Sequence, residues 1–326
     1  MNQNISFLCE PETGEELVSV DGNLISQTGS SYPVVNGIPR FVDSNNYSSD
    51  FGFQWNTFSK TQLDSFSGTN ISEGRLERCL RGNLTKIKDK KVLEAGSGAG
   101  RFTEILLKHG AIVHSFDFSN AVEANAKNNG ENNNLILVQA DIRKIPFPKS
   151  SYDFVVCLGV LQHTPNPEDS IKHLWDMVKP GGALVIDHYP WKWRIILPPP
   201  IGEALALYRQ INLRLPKKFR FKFVKKLVDF WFPVHWKLRD SSIIQRILRR
   251  FSPVLFYYPH LKLRDRQMYY DWALLDTHDG TTDFYKHRRT VSEINFFLKA
   301  IGATDILVNS GGNGVEAFCR KPLQNK

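Results

Sequence analysis

Between positions 91 and 188 short apolar runs alternate with stretches whose apolar residues recur at helical spacing. Residues 91–95, 111–117, 135–141, 152–159 and 183–188 read as five short, mostly apolar strands, the kind buried on both faces of a parallel sheet. Residues 101–109 carry a helical pattern that stops at Gly110, a C-terminal capping residue. Ser119 caps the next helix. Asn166-Pro167-Glu168-Asp169 starts another, with an Asn cap, Pro in the first turn and acids near the positive end of the helix dipole. That helix ends at Lys179-Pro180-Gly181-Gly182. Repeated strand–helix–strand units predict an α/β fold, doubly wound around a mostly parallel sheet. The alternation stops at Tyr189-Pro190 and resumes at Thr290-Val291-Ser292-Glu293, a capping-box signature. Two further strands, near 305–309 and 315–320, bring the sheet to seven.

The flanking patterns differ. Residues 1–45 read as a small β unit, with Asn36-Gly37 between apolar residues as a tight turn. A polar linker covers 45–50, residues 51–65 show no clear periodicity, and a helix is predicted near 71–87. Within 190–288, Phe219, Phe223, Leu227 and Phe230 recur at helical spacing, joined by Val224, Val228 and Trp231, with Lys217, Lys218, Arg220, Lys222, Lys225 and Lys226 on the other faces. Ile243, Ile244, Ile247, Leu248 and Phe251 repeat the pattern beside Arg246, Arg249 and Arg250. The predicted organisation is 1–45 as an N-terminal unit, 46–189 as the core with a closing segment, 190–288 as a mainly helical basic insertion, and 289–326 as the last helix and strand pair.

Composition sharpens this division. The chain of 326 residues carries a net charge of +9, but 191–266 holds 18 Lys and Arg against 4 Asp and Glu, a local excess of +14. The remainder is therefore at −5, and the basic character belongs to the insertion. Such clustering points to an anionic partner: a phosphorylated substrate, a membrane surface or a nucleic acid. No apolar run approaches the roughly 18 residues of a membrane span. Met1-Asn2-Gln3-Asn4 lacks the basic and apolar regions of a signal peptide, and four scattered cysteines form no disulfide framework. The expectation is a cytoplasmic protein, with peripheral contact at the inner face of the membrane through 190–266.

Candidate chemistry begins at Glu94-Ala95-Gly96-Ser97-Gly98-Ala99-Gly100. A glycine-rich turn between a strand and a helix lets a ligand approach the backbone closely. Asp117, 19 residues after Gly98, ends the second strand, where an acid can accept two ribose hydroxyls. The G-x-G-x-G spacing departs from the G-x-G-x-x-G of nicotinamide enzymes. Together with Arg101-Phe102-Thr103, Ala140-Asp141-Ile142, Pro146-Phe147-Pro148, the stretch from Tyr152 through Gly159 to His163, and Lys179-Pro180-Gly181-Gly182, it resembles the class I S-adenosyl-L-methionine (SAM) dependent methyltransferases, most closely the type 11 group. The resemblance covers about 90–190 and, more loosely, 290–320. It implies a Rossmann-like fold and SAM as cofactor, with Glu94, Gly96, Ser97, Gly98, Gly100, Asp117, Phe118, Asp141, Ile142 and Gly159 at the cofactor and Arg75 or Arg78 at its carboxylate. It also places His163 near the transferred methyl, as a base or acceptor-orienting group.

Residues 51–65 are similar to a segment ahead of the core in some bacterial type 11 enzymes, which implies closure over cofactor and acceptor through Gln54, Trp55, Gln62 and Asp64. On the acceptor side we place Trp55, Gln62 and, from the titratable stretch 276–289, His278, Asp279, Tyr285 and His287. Residues 8–39 resemble the small zinc ribbons found beside methyltransferases. Only Cys9 remains of the usual cysteine pairs, and Glu12 stands where a second would, so no zinc is expected. No Asp/Asn-Pro-Pro-Tyr/Phe motif and no Pro-Cys nucleophile is present. The expected function is methyl transfer to a small-molecule or saccharide acceptor, lipid-linked in one version. RNA methylation is the alternative, with nucleic acid the less favoured partner, and a SAM-binding interaction protein without turnover is a third class.

Overall fold

The computed structural model describes residues 5–43, 46–193, 197, 199, 201–256 and 261–323. Pro198 and Pro200 of the proline run lie outside the described residues.

Four short strands, β1 (Val18–Val20), β2 (Asn23–Ile25), β3 (Ser31–Val35) and β4 (Ile38–Pro39), form an antiparallel N-terminal sheet. Its loop 10–13 is organised by one carboxylate. Glu10 accepts the backbone N–H of Glu12 at 2.7 Å and of Thr13 at 2.5 Å, and the Tyr32 hydroxyl at 2.8 Å. The unit docks on the main sheet. Phe41 N–H donates to the Gln139 carbonyl at 2.8 Å and Cys9 N–H to that of Pro146 at 3.1 Å, while Arg40 pairs with Glu123.

Helices α1 (Ser49–Thr57), α2 (Asp64–Ser67) and α3 (Ile71–Cys79) lead into the core. The stretch 51–65, read as aperiodic, thus contains a helix. Its stability comes from packing against neighbours: a Cβ at Gly52 would lie 3.1 Å from the Asn120 backbone nitrogen. The helix expected over 71–87 ends instead at Cys79, because Arg81 and Gly82 take left-handed conformations (φ 55° and 74°).

The core follows the predicted alternation: β5 (Lys91–Ala95), α4 (Arg101–Lys108), β6 (Ile112–Asp117), α5 (Val122–Asn129), β7 (Leu135–Gln139), β8 (Tyr152–Cys157), α6 (Pro167–Met177) and β9 (Val178–His188). After the insertion come α11 (Val291–Ala300), β10 (Thr304–Ser310) and β11 (Val315–Arg320). The seven strands lie in the order β10-β11-β9-β8-β5-β6-β7, with β11 antiparallel to both neighbours and the rest parallel. This is the seven-stranded Rossmann-like α/β sheet expected from the sequence. Strand order reverses between β5 and β8, so the loops leaving their carboxyl ends part there and open a crevice. Apolar layers cover both faces, one centred on Leu93, Val155 and Leu184, the other on Val92, Val113 and Val185.

The insertion folds into α7 (Ala204–Arg214), α8 (Lys217–Lys237), α9 (Ser242–Leu248) and α10 (Arg266–Thr282), around a cluster of its own that includes Val224, Val228, Phe232 and Leu274. The inner seam of α8 is Val224, Val228, Phe232 and His235. The stripe drawn from sequence through Phe219 and Phe230 is corrected: both rings are exposed, since the helix turns its β-branched valines to α10. Residues 276–282, read as a loop, form the last turns of α10, leaving only 283–289 as the connection.

Candidate active site

A cavity of about 760 Å³ opens at the sheet's switch point. Its floor is the turn after β5. Gly96, Gly98 and Gly100 have φ of 77°, 53° and 90°, values that side-chain-bearing residues rarely adopt. Space is restricted as well: a Cβ on Gly96 would overlap Val160, and one on Gly98 would lie 3.2 Å from the Trp55 ring. Asp117 fastens this turn to the next strand. One oxygen accepts the Gly98 N–H at 2.9 Å, and the other accepts the Ser119 N–H at 2.8 Å and its hydroxyl at 2.7 Å. Burial raises the Asp117 pKa, against the pull of these hydrogen bonds.

Glu94 sits beneath the turn and does not line the cavity. Its carboxylate accepts Thr103 Oγ1 at 2.5 Å and Ser115 Oγ at 2.8 Å, and burial pushes its pKa up to about 7. Gly100 likewise faces away from the cavity, toward Asn125 and Asn129 of α5. Sequence reasoning missed the support that α5 gives. Asn128 Nδ2 donates to the Ala99 carbonyl at 2.8 Å and Asn129 Nδ2 to that of Gly100 at 3.1 Å. The run of asparagines on one amphipathic helix was the available signal.

On the opposite wall stand Leu158, Gly159 and Val160, after β8. Buried Asp187 at the end of β9 accepts the Gly159 N–H at 2.6 Å and pairs with Arg75. Asp187 was also overlooked, although an acid inside Ala-Leu-Val-Ile-Asp is conspicuous. Arg78, the other carboxylate candidate, makes a bidentate pair with Glu316, at 2.7 and 2.9 Å. Phe118, Asp141 and Ile142 line the third side, with Arg143 Nη2 at 2.6 Å from Asp141. Trp55 covers the glycine turn. Gln62 accepts Arg101 Nη1 at 2.5 Å and donates to Asp276 at 3.3 Å, tying the closing segment to both core and insertion.

His163, on the single helical turn Leu161–His163, faces the same cavity. Its Nδ1 lies 3.2 Å from the Tyr285 carbonyl, an acceptor only, so Nδ1 donates and Nε2 keeps its lone pair. Asp283, fully buried, lies 3.7 Å from Nδ1 and is held by Arg209 at 2.7 Å and Lys286 at 2.8 Å. The rings of Phe51 and Tyr189 flank the imidazole. Asp279 lines the cavity and accepts the Tyr189 hydroxyl at 3.4 Å, and burial raises its pKa.

Three of the proposed acceptor-side residues do not reach the cavity wall. His278 is one helix position from Asp279 and so points elsewhere, to Gln54 at 2.8 Å, where burial lowers its pKa to about 4. Tyr285 contributes its carbonyl to His163 while its ring packs on Tyr47. His287 stacks on Tyr285, and its N–H donates to the Gln162 carbonyl at 2.9 Å. Among the described residues no three His, Cys, Asp or Glu side chains gather as a metal site.

The donor set fits SAM. Asp117 offers carboxylate oxygens at the end of β6, the glycine turn has no room for side chains, and buried Ser97 Oγ has no hydrogen-bond partner in the cavity floor. A family described as "Methyltransferase domain" matches residues 93–186. The ubiquinone biosynthesis O-methyltransferase of Coxiella burnetii is 39% identical over 100 residues, 30% of this chain and 43% of the relative. The chain thus spans less than half the length of the curated relatives it matches. Among solved structures, an S-adenosylmethionine-dependent methyltransferase from Mesorhizobium loti covers 77% of this chain and 100% of its own (17% identity, TM-score 0.43). Phosphoethanolamine N-methyltransferase 2 from Haemonchus contortus covers 85% and 57% (12%, TM-score 0.45). Residues 93–186 thus match a methyltransferase domain, on a sheet of the Rossmann-like kind.

Proposed function

We propose that the chain methylates a hydroxyl of a small-molecule or saccharide acceptor, with His163 as the base. The observation that carries this reading is the contact of His163 Nδ1 with the Tyr285 carbonyl at 3.2 Å, which in the neutral ring leaves the lone pair on Nε2, on a ring that lines the cofactor cavity. An alcohol is protonated at neutral pH, so its attack needs such an acceptor, worth roughly 10²–10⁴ in rate. The bound cofactor supplies a methyl group on a sulfonium centre, open to in-line displacement. In that displacement the methyl carbon would exchange its bond to sulfur for one to the acceptor oxygen, and His163 Nε2 would take the hydroxyl proton. Asp283 then favours the imidazolium, while Phe51 and Tyr189 hold the ring in place.

Arg75 and Ser97 are the groups proposed for the cofactor's amino-acid end, Asp117 for its ribose and Asp141-Ile142 for its adenine. Lys192, Asp276, Asp279 and Lys286 line the acceptor end, a mixture of donors and acceptors suited to a polyol. The names of the curated relatives favour oxygen as the methylated atom and a small molecule as acceptor. The test is methyl transfer from labelled SAM into extract divided into soluble, lipid and RNA fractions. Label in a hydroxylated small molecule or glycan, lost in His163→Gln, supports the reading. Label in RNA alone overturns it.

A further inference from the structure

Helix α9 is built inside out. Its buried side is polar: Gln245 accepts His235 Nδ1–H at 2.6 Å and donates to the carbonyls of His235 at 2.9 Å and Leu238 at 3.0 Å. Ser252 Oγ, 2.9 Å from His235 Nε2, completes the network. Its outer side is apolar. Ile243 and Ile247 of the helix, and Phe251 in the turn just after it, follow one another at four-residue spacing and stand 68%, 49% and 54% exposed, with Ile244 beside them. Exposed Arg246 and Arg250, also four apart, flank this ridge. Such a helix gains nothing from water on its outer face, and its polar anchor shows that this orientation is fixed by specific bonds, not by a failure to bury isoleucines.

The ridge adjoins the cavity mouth. The Ala204 N–H donates to the Arg249 carbonyl at 3.1 Å, which joins the start of α7 to the end of α9. Glu203, Leu205, Arg249 and Leu255, on either side of that bond, all line the cavity. Exposed Ile201 lies three residues before the bond and Phe251 two residues after it.

We propose that this ridge seats the protein on an anionic lipid bilayer, with the acceptor cavity opening at the headgroup layer. The choice of occupant rests on charge: apolar side chains flanked by arginines, within a segment of 18 basic and 4 acidic residues, match an interface where acyl chains lie under anionic headgroups. Shallow insertion of Ile243, Ile247 and Phe251 places Arg246 and Arg250 at phosphate level. An amphipathic acceptor then enters the cavity without leaving the membrane. Only this last step rests on the methyl-transfer reading.

The test is sedimentation of the full chain with phosphatidylglycerol/phosphatidylcholine vesicles and with phosphatidylcholine alone, alongside SAM calorimetry. The anionic vesicles should bind it. The triple change Ile243→Ser, Ile247→Ser, Phe251→Ser should weaken that binding about tenfold or more, since apolar burial and charge act together at an interface. Replacing the same three residues by Leu should preserve it, and Arg246→Gln with Arg250→Gln should reduce it and its salt sensitivity. SAM affinity should stay unchanged in every variant. If SAM does not bind while the vesicles do, the methyltransferase reading fails and the membrane surface stands. Absence of binding to anionic vesicles, or equal binding by the serine variant, overturns the proposal. So does a dimer that the serine variant dissociates, or RNA binding that it abolishes.

Discussion

Asp117 grips the Gly98 amide at 2.9 Å, so that one carboxylate oxygen serves the glycine turn and the other is held by Ser119. The residue expected to meet the cofactor is therefore also a structural clasp. Asp117→Ala should weaken SAM binding tenfold or more, since charge-assisted hydrogen bonds contribute about 1.5–3 kcal/mol each. Asp117→Asn, which can still accept from Gly98, should lose less. Calorimetry on folded variants decides; unchanged affinity in both would refute the assignment.

Gly98→Val combines a φ of 53° with crowding against Trp55. It should abolish SAM binding, while Trp55→Ala relieves the crowding but not the backbone strain. Recovery of binding in the double variant would show that space alone set the requirement.

For His163, kcat is the informative quantity. His163→Gln should lower it by a factor of about 10²–10⁴ with SAM affinity retained. Asp283→Asn should lower kcat less, because the carboxylate supports the imidazolium from 3.7 Å and does not itself take the proton. An undiminished kcat in His163→Gln would contradict this account.

Glu94 links stability to pH. Its carboxyl is raised by burial from 4.5 to about 7, so the folded state prefers the protonated form. Its stabilising contribution is complete below about pH 4.5 and is lost as pH rises through about 7. Glu94→Gln should therefore raise the Tm relative to the parent at pH 8 and leave it nearly equal at pH 4.5. Equal curves at both pH values would show that Glu94 carries no such linkage.

In the N-terminal sheet, Glu10 binds two backbone amides and the Tyr32 hydroxyl and so organises the loop 10–13. Glu10→Ala should lower the Tm by several degrees, in line with roughly 1.5–3 kcal/mol for a charge-assisted hydrogen bond. Chelators should leave the parent Tm unchanged. A chelator-sensitive Tm would mean that a metal, not Glu10, holds the loop.

The sequence made the sheet legible because β5 to β9 are apolar runs closed by glycine or acid, and because Gly96, Gly98 and Asp117 stand where strand ends must put them. It did not reveal α1, whose Gly52 and Gln54 carry no periodic signal and acquire their meaning from Asn120 and His278, far along the chain. The same distance hid Asp283. Its role depends on Arg209 and His163, 74 and 120 residues away, which only the folded insertion brings together. On α8, Val224 and Val228 of the apolar stripe are buried as expected, whereas Phe219 and Phe230 at its edges are exposed. Tyr285 and His287 were chosen for their side chains, whereas Tyr285 supplies a backbone oxygen, which no residue-type argument anticipates.

The docking of Phe41 on Gln139 and of Cys9 on Pro146 sets a timetable for synthesis. Residues 9–41 leave the ribosome well before they can dock, since their partners emerge about 100 residues later, a wait on the order of ten seconds at ordinary elongation rates. The docking leaves β1 as it was, with Val18 and Val20 exposed and one strand edge unpaired in the folded chain. A chain halted before Gln139 leaves the backbone of Arg40 and Phe41 without its partner strand, whereas one that passes Pro146 supplies that partner from its own sequence.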